Sequence, residues 1–217
     1  MTRFSACPAL VLRMRQTGES NREAFFLTAG MGITRAFVYG GPKSRLRSYV
    51  SPFHSGGLYL YHDPVRDSYK VTDFDVRRWR PGIRENYDRT MAAVAIAETV
   101  LAGFGGGCNW GEALDQTNDS LDALDNAVGP ASLRVLVHFL WKWSDLLGIH
   151  DGTSTARLSP APLRWLEASS ALPPSEVSRL GLDSASLLEA KNFCAGIIAS
   201  ALGRHLKSWE WQTPSVF

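Results

Sequence analysis

Near residue 80 the hydrophobic repeat of this chain changes period, and that change constrains the fold more than any single motif. Before it, apolar residues fall in short, partly alternating runs; after it, they recur at helical spacing. Ala9–Arg15 ends in apolar/basic alternation, Glu23–Thr28 makes a second run, and Ile33–Tyr39 a third, rich in β-branched and aromatic side chains. Gly57–Tyr61 and Tyr69–Phe74 complete five expected strands. Turn compositions separate them: Gln16–Asn21, Ala29–Gly32 and Asp63-Pro64. Gly40–Arg47 reads as a basic loop. Five short strands in fewer than 80 residues point to a small barrel.

From Arg84 onward, Tyr87, Met91, Val94, Ala95, Glu98 and Leu101 follow helical spacing in an Ala-rich stretch that Gly103–Gly107 ends. Leu114, Leu121, Leu124 and Val128 mark a second helix, with Asp115, Asp119, Asp122 and Asp125 on its outer face. Leu133–Leu147 reads as a central, largely buried helix. Ser159-Pro160 starts a short helix through Trp165, and Pro173-Pro174 breaks it. Asp183 or Ser184 caps a long last helix carrying Leu187, Leu188, Phe193, Ile197, Ile198 and Leu202, and Arg204, His205 and Lys207 suit the negative end of its dipole. The expected class is α+β: a five-stranded OB-fold barrel over residues 1–80, then an all-α helical domain over 81–217, with Gln212–Phe217 frayed.

Composition excludes several classes. Hydrophobic residues at 45% and charged residues at 20% are not those of a disordered chain. The longest apolar stretch, Ala92–Phe104, contains Glu98 and is too short for a membrane span, and the opening Met1-Thr2-Arg3-Phe4 lacks a secretory pattern. Cys7, Cys108 and Cys194 are too few and too far apart for a disulfide framework or a zinc site, so no metal and a reduced, cytoplasmic setting are expected. The charge is split. Residues 1–83 hold 13 Lys+Arg and 6 Asp+Glu, whereas residues 84–217 hold 10 and 15. A basic barrel is the electrostatic footprint of a polyanion binder.

Catalytic patterns are missing. Gly40-Gly41-Pro42-Lys43-Ser44 has proline where a phosphate loop needs a glycine N–H. Gly103–Gly107 follows a helix, so it is no dinucleotide fingerprint. The histidines are scattered; His138, in an apolar helix, reads as a satisfied core residue. Cys108 and Cys194 have no base beside them and read as small buried hydrophobes. A binding protein without a cofactor, and not an enzyme, is expected.

The runs Ala9–Arg13, Gly18–Arg22 and Phe26–Thr28, followed by Lys43-Ser44-Arg45-Leu46-Arg47 and Pro52-Phe53, resemble the opening of the RecO family of recombination mediators. Leu146-Leu147-Gly148, Leu158-Ser159-Pro160 and His205-Leu206-Lys207-Ser208 resemble later pieces of it in the same order. Many RecO proteins carry a four-cysteine zinc module where Gly148–Leu158 stands here without cysteine, so a zinc-dependent role is not carried over. The resemblance implies a DNA-binding recombination mediator. Such a protein binds single- and double-stranded DNA, anneals strands, and works with RecR to load RecA onto DNA covered by single-stranded-DNA-binding protein. It does so in the cytoplasm, at the nucleoid, with no membrane partner.

Within that frame Arg35, Lys43, Arg45 and Arg47 are the leading DNA contacts, with Arg13 and Arg22 next, and Tyr39, Tyr49 and Tyr59 are available to stack on bases. Arg77-Arg78-Trp79-Arg80 serves either phosphate or the acidic helical half. The resemblance also implies a helical-domain pocket for the acidic, apolar C-terminal tail of single-stranded-DNA-binding protein. Its rim would need cations, for which Arg134 with Lys142, or Arg204 with Lys207, are the candidates. The residues alone leave open an RNA-binding OB module with a helical partner-binding domain, distinguishable by preference for the 2′-OH.

Overall fold

The computed structural model describes residues 3–18, 21–41, 43–103, 109–149 and 154–211. It divides into two units, Met1–Arg80 with Asn109–Asn118, and Pro81–Cys108 with Asp119–Phe217.

In the first unit, β1 (Phe4–Thr17), β2 (Asn21–Thr28), β3 (Gly32–Val38), β4 (Ser55–Asp63) and β5 (Ser68–Arg78) form a closed barrel in the order β1-β2-β3-β5-β4. This is the OB-type arrangement expected from the five runs. The first strand is longer than its alternation suggested, because it serves two neighbours. Phe4–Leu10 pairs with β4 and Ala9–Thr17 with β2. Parallel pairing of Ala36 with Tyr69 and Phe37 with Lys70 closes β3 against β5.

The inward set is apolar, with Val11, Phe26, Leu58, Leu60, Val71 and Phe74 in one core and the Phe26 and Phe74 rings 6.0 Å apart. Strict alternation fails at Val71 and Phe74, which are three residues apart yet both inward. The β4–β5 register shifts between Tyr59 and Leu60, so Thr72 is the extra residue of a bulge that resets the faces. Beside a second shift, Gly56 passes so close to β5 that a Cβ would lie 1.9 Å from the Asp75 carbonyl oxygen. Only glycine fits there.

The stretch expected to be a basic loop instead contains a short helix, α1 (Arg45–Tyr49), with a Ser48 hydroxyl donating to the Arg45 carbonyl at 2.8 Å. Arg80, weighed from sequence for phosphate or for the acidic helical half, is held inside the fold. Its guanidinium is buried and donates to the Phe53 carbonyl at 2.6 Å and to the Asn118 carbonyl and side-chain oxygen at 3.3 and 2.9 Å. That bonding accounts for the inclusion of Asn109–Asn118 in the barrel unit, although helical periodicity placed it with the rest of 81–217.

The second unit contains α2 (Pro81–Glu85), α3 (Tyr87–Ala102), the end of α4 (Trp110–Asp125), α5 (Ala131–Leu146), α6 (Pro160–Ser170) and α7 (Ser184–Leu202). The α5 helix is buried nearly all round and packs against α3, α6 and α7, as a central helix should. The face expected for α3 is rotated. Tyr87 and Val94 are exposed, while Ala92, Ala93, Ile96, Ala97 and Val100 are buried. Alanines give the closest helix approach, so the buried side is the small one. Val128 is exposed because α4 ends at Asp125, and Asp125 is no mere outer charge, its carboxylate accepting from the Ile83 N–H at 3.1 Å.

The Asp183 cap on α7 is present, accepting from the Ser186 N–H at 2.9 Å. Its basic last turn is not. Gly203, left-handed at φ 64°, stops the helix before Arg204, and Lys207 belongs to a separate turn, Lys207–Glu210. The α7 helix is long and apolar enough to cross a bilayer by length and composition, with a mean hydropathy of 1.2. It nevertheless carries Glu189 and a buried Lys191, and packs on α5 and α6. The expected fraying of Gln212–Phe217 lies outside the described residues.

Candidate nucleic-acid interface

Residues paired across a sheet project to the same side. Register therefore assembles a row around the barrel that no local stretch of sequence contains. Phe4 on β1 pairs with Tyr61 on β4, Tyr61 with Lys70 on β5, and Lys70 with Phe37 on β3. These four are exposed or half-buried, so the row lies on the outer surface. Two residues before Phe37, on the same face of β3, stands Arg35, and two residues after it, just past the strand end, stands Tyr39. Together they line a groove of about 900 Å³, with Arg66, Tyr69 and Thr72 along it.

The groove joins rings and cations. Phe4, 67% exposed, tilts against Tyr61 with centroids 5.3 Å apart. Phe37 and Tyr39 stack at 6.2 Å, and the Lys70 ammonium lies 5.1 Å from the Tyr39 centroid. The Arg35 Nε lies 3.3 Å from the carboxylate of buried Glu23, while the Arg35 side chain remains 63% exposed. One edge of the guanidinium is thus anchored and its bulk is left in solvent. Two carboxylates also line the groove. Asp63 accepts the Val65 and Arg66 N–H groups at 3.0 and 3.3 Å, and Asp67 lies 3.0 Å from the His62 Nε2. A polyanion is therefore better accommodated beside Arg35 and Lys70 than beside this turn.

The expected contacts are distributed. Arg35 and Tyr39 are in the groove. Arg13 shares a rung with Arg35, both paired with Phe25 between them, and both are exposed. Arg22 is half-buried and pairs with inward-facing Val38, so it does not belong to that outer row. Lys43, Arg45 and Arg47 sit on α1 and its lead-in, away from the groove lining, with the Arg45 Cζ 5.1 Å from the Tyr49 centroid. Tyr59 is exposed on β4. Phe4, Phe37, Tyr61 and Lys70 were not singled out from sequence. Their shared feature, a common register position on four strands, exists only once the barrel closes.

In the helical unit, Arg134 donates to the Ser178 and Leu182 carbonyls at 3.1 and 3.5 Å and borders a cavity of about 570 Å³ that Asp119 and Asp122 also line. Lys142 is half-buried, and Arg204 and Lys207 are exposed. His138 is buried, as expected, but its Nδ1 has no hydrogen-bond partner, and burial, followed by the charge of Lys142, lowers its pKa to about 4. Cys194 is buried and its thiol pKa is raised by that burial, consistent with a packing role; Cys108 lies outside the described residues. Among the described residues no three His, Cys, Asp or Glu side chains are placed to hold a metal ion.

A closed five-stranded barrel of this order, with rings and cations on one outer groove, defines an OB-type module. Residues 1–78 match the family model described as recombination protein O N terminal. Over that span the barrel is similar to the N-terminal domain of recombination protein O. The match ends at the close of β5, and no curated protein matches the chain significantly.

Proposed function

We propose that the chain binds single-stranded DNA through the barrel groove and acts as a recombination mediator by binding alone, without catalysis. The observation that carries this reading is the row Phe4, Tyr61, Lys70 and Phe37, flanked by Arg35 and Tyr39. Arg35 and Lys70 neutralise phosphates and release counterions, which gives affinity indifferent to sequence. The rings offer π-faces to unpaired bases, which any base can use. Bases held by their faces keep their pairing edges free, and that is the physical requirement for annealing a complementary strand. The match to the RecO N-terminal family supports extending the reading to duplex DNA binding, to RecR as a partner, and to loading of RecA onto DNA covered by single-stranded-DNA-binding protein. It also supports a cytoplasmic, nucleoid-associated setting.

The test is a titration of the full chain with labelled oligothymidylate at several salt concentrations. Affinity should fall log-linearly with salt, at a slope of about 0.7 per phosphate contacted. Salt-independent affinity, or no binding at low salt, would overturn the proposal.

A further inference from the structure

We propose that Trp79 is a second nucleobase-stacking platform, formed with Tyr49, His54 and Arg45 and separate from the groove. The proposal rests on the reading of the barrel as a binder of single-stranded DNA, and adds a second place at which it holds an unpaired base.

Trp79 immediately follows β5 and is 46% exposed. It is nevertheless braced. The Tyr49 ring stands nearly perpendicular to it, 5.3 Å away at 87°, and the His54 ring lies 4.9 Å away at 65°. The braces are tied to each other, since the Nδ1 of buried His54 lies 2.9 Å from the Tyr49 carbonyl oxygen. An indole packed at steep angles against two rings, yet nearly half open to solvent, loses little freedom when another ring stacks on its open part.

The surrounding charge indicates which ring that is. The Arg45 Cζ lies 5.1 Å from the Tyr49 centroid, Lys43 and Arg45 are exposed on the same short segment, and exposed Arg77 lies two residues before Trp79. Cations next to an open π-surface fit a base that carries a phosphate. An uncharged apolar peptide would gain nothing from them. Trp79, Tyr49, His54 and Arg45 are all absent from the groove lining, so the two ring clusters are distinct.

The experiment uses the full chain and two oligothymidylates, of about 4 and about 16 nucleotides, which bracket the span of one OB barrel. Trp79→Ala should weaken binding of the longer strand roughly tenfold, the effect of losing one stacked base, and Trp79→Phe, which keeps a ring, much less. Arg45→Ala, an exposed change, should weaken the longer strand and lower its salt slope by about 0.7. Tyr39→Ala, in the groove, should weaken both strands, whereas Trp79→Ala should spare the shorter one. Wild-type affinity of Trp79→Ala for the longer strand would overturn the proposal and leave the ring to a protein partner. Equal losses in Trp79→Ala and Trp79→Phe, or an unchanged Arg45→Ala, would overturn it as well. Failure of the wild-type chain to bind either strand removes the DNA reading itself, and this proposal with it.

Discussion

The Lys70 ammonium lies 5.1 Å from the centroid of the Tyr39 ring, with Lys70 on β5 and Tyr39 just past the end of β3. The pair places a cation and a π-face at one point of the groove, so their contributions to DNA binding are separable by salt. Lys70→Ala should lower the salt slope by about 0.7 and weaken binding most at low salt. Tyr39→Ala should weaken binding at every salt concentration alike, because stacking releases no counterions. Identical slopes for Lys70→Ala and wild type, read from anisotropy titrations, would remove Lys70 from the phosphate path.

The α1 segment offers a different measurement. Lys43, Arg45 and Arg47 together add three positive charges outside the groove lining. If all three contact phosphate, their joint replacement by Ala should lower the slope by roughly 2 and leave base preference unchanged. A folded triple variant with the wild-type slope would confine phosphate contact to other cations.

Arg80 tests the architecture and not the ligand. Its guanidinium reaches the Phe53 carbonyl and both oxygens of Asn118, all within the first unit. Arg80 also holds a left-handed φ of 48°. Arg80→Ala strands buried acceptors and should cost roughly 3 kcal/mol, the scale of losing charge-assisted hydrogen bonds at a buried site. Arg80→Lys should recover only part, since an ammonium lacks the planar fork. Denaturant unfolding reads both; a loss below about 1 kcal/mol in Arg80→Ala would show that water replaces these bonds.

What could be read from sequence was local. The short apolar run Glu23–Thr28 and the β-branched, aromatic run Ile33–Tyr39, set off by turn residues, found β2 and β3. Phe4–Pro8 was not recognised as strand, since proline interrupts the pattern and the partner, β4, is about fifty residues on. The groove row was invisible for the same reason: Phe4, Phe37, Tyr61 and Lys70 become neighbours only through closure of four strands. In α3 the large residues drew attention to Tyr87 and Val94, whereas packing selected the alanine side. Arg80 looked like a surface charge in a basic run, and nothing in that run signals a buried carbonyl 27 residues upstream.

The expectation of a cation-rimmed pocket for an acidic, apolar tail is measured on the full chain with such a peptide. Arg134 is engaged by the Ser178 and Leu182 carbonyls and shares its cavity with Asp119 and Asp122. Carboxylates on the rim oppose an acidic ligand. If that cavity receives the tail, Asp119→Asn with Asp122→Asn should tighten binding and Arg134→Gln should weaken it. If binding responds only to Arg204 and Lys207, the site lies at the exposed segment beyond α7.

His138 supplies a pH dependence with a definite sign. It is buried on α5, its Nδ1 has no hydrogen-bond partner, and burial together with nearby Lys142 lowers its pKa from 6.5 to about 4. The unfolded chain therefore takes up a proton near pH 6.5 that the folded chain refuses until about pH 4. The stability this neutral histidine contributes is complete above pH 6.5, falls as the pH drops through that window, and is gone below about pH 4. The loss is on the order of 3 kcal/mol. His138→Leu has similar bulk and no proton to bind. It should flatten the profile between those limits and be more stable than wild type at acid pH. Urea unfolding of both proteins at pH values from neutral down to about 4.5 is the check, the window being set by the shifted histidine. Parallel losses in the two proteins would show that carboxylates elsewhere, and not His138, govern the acid response.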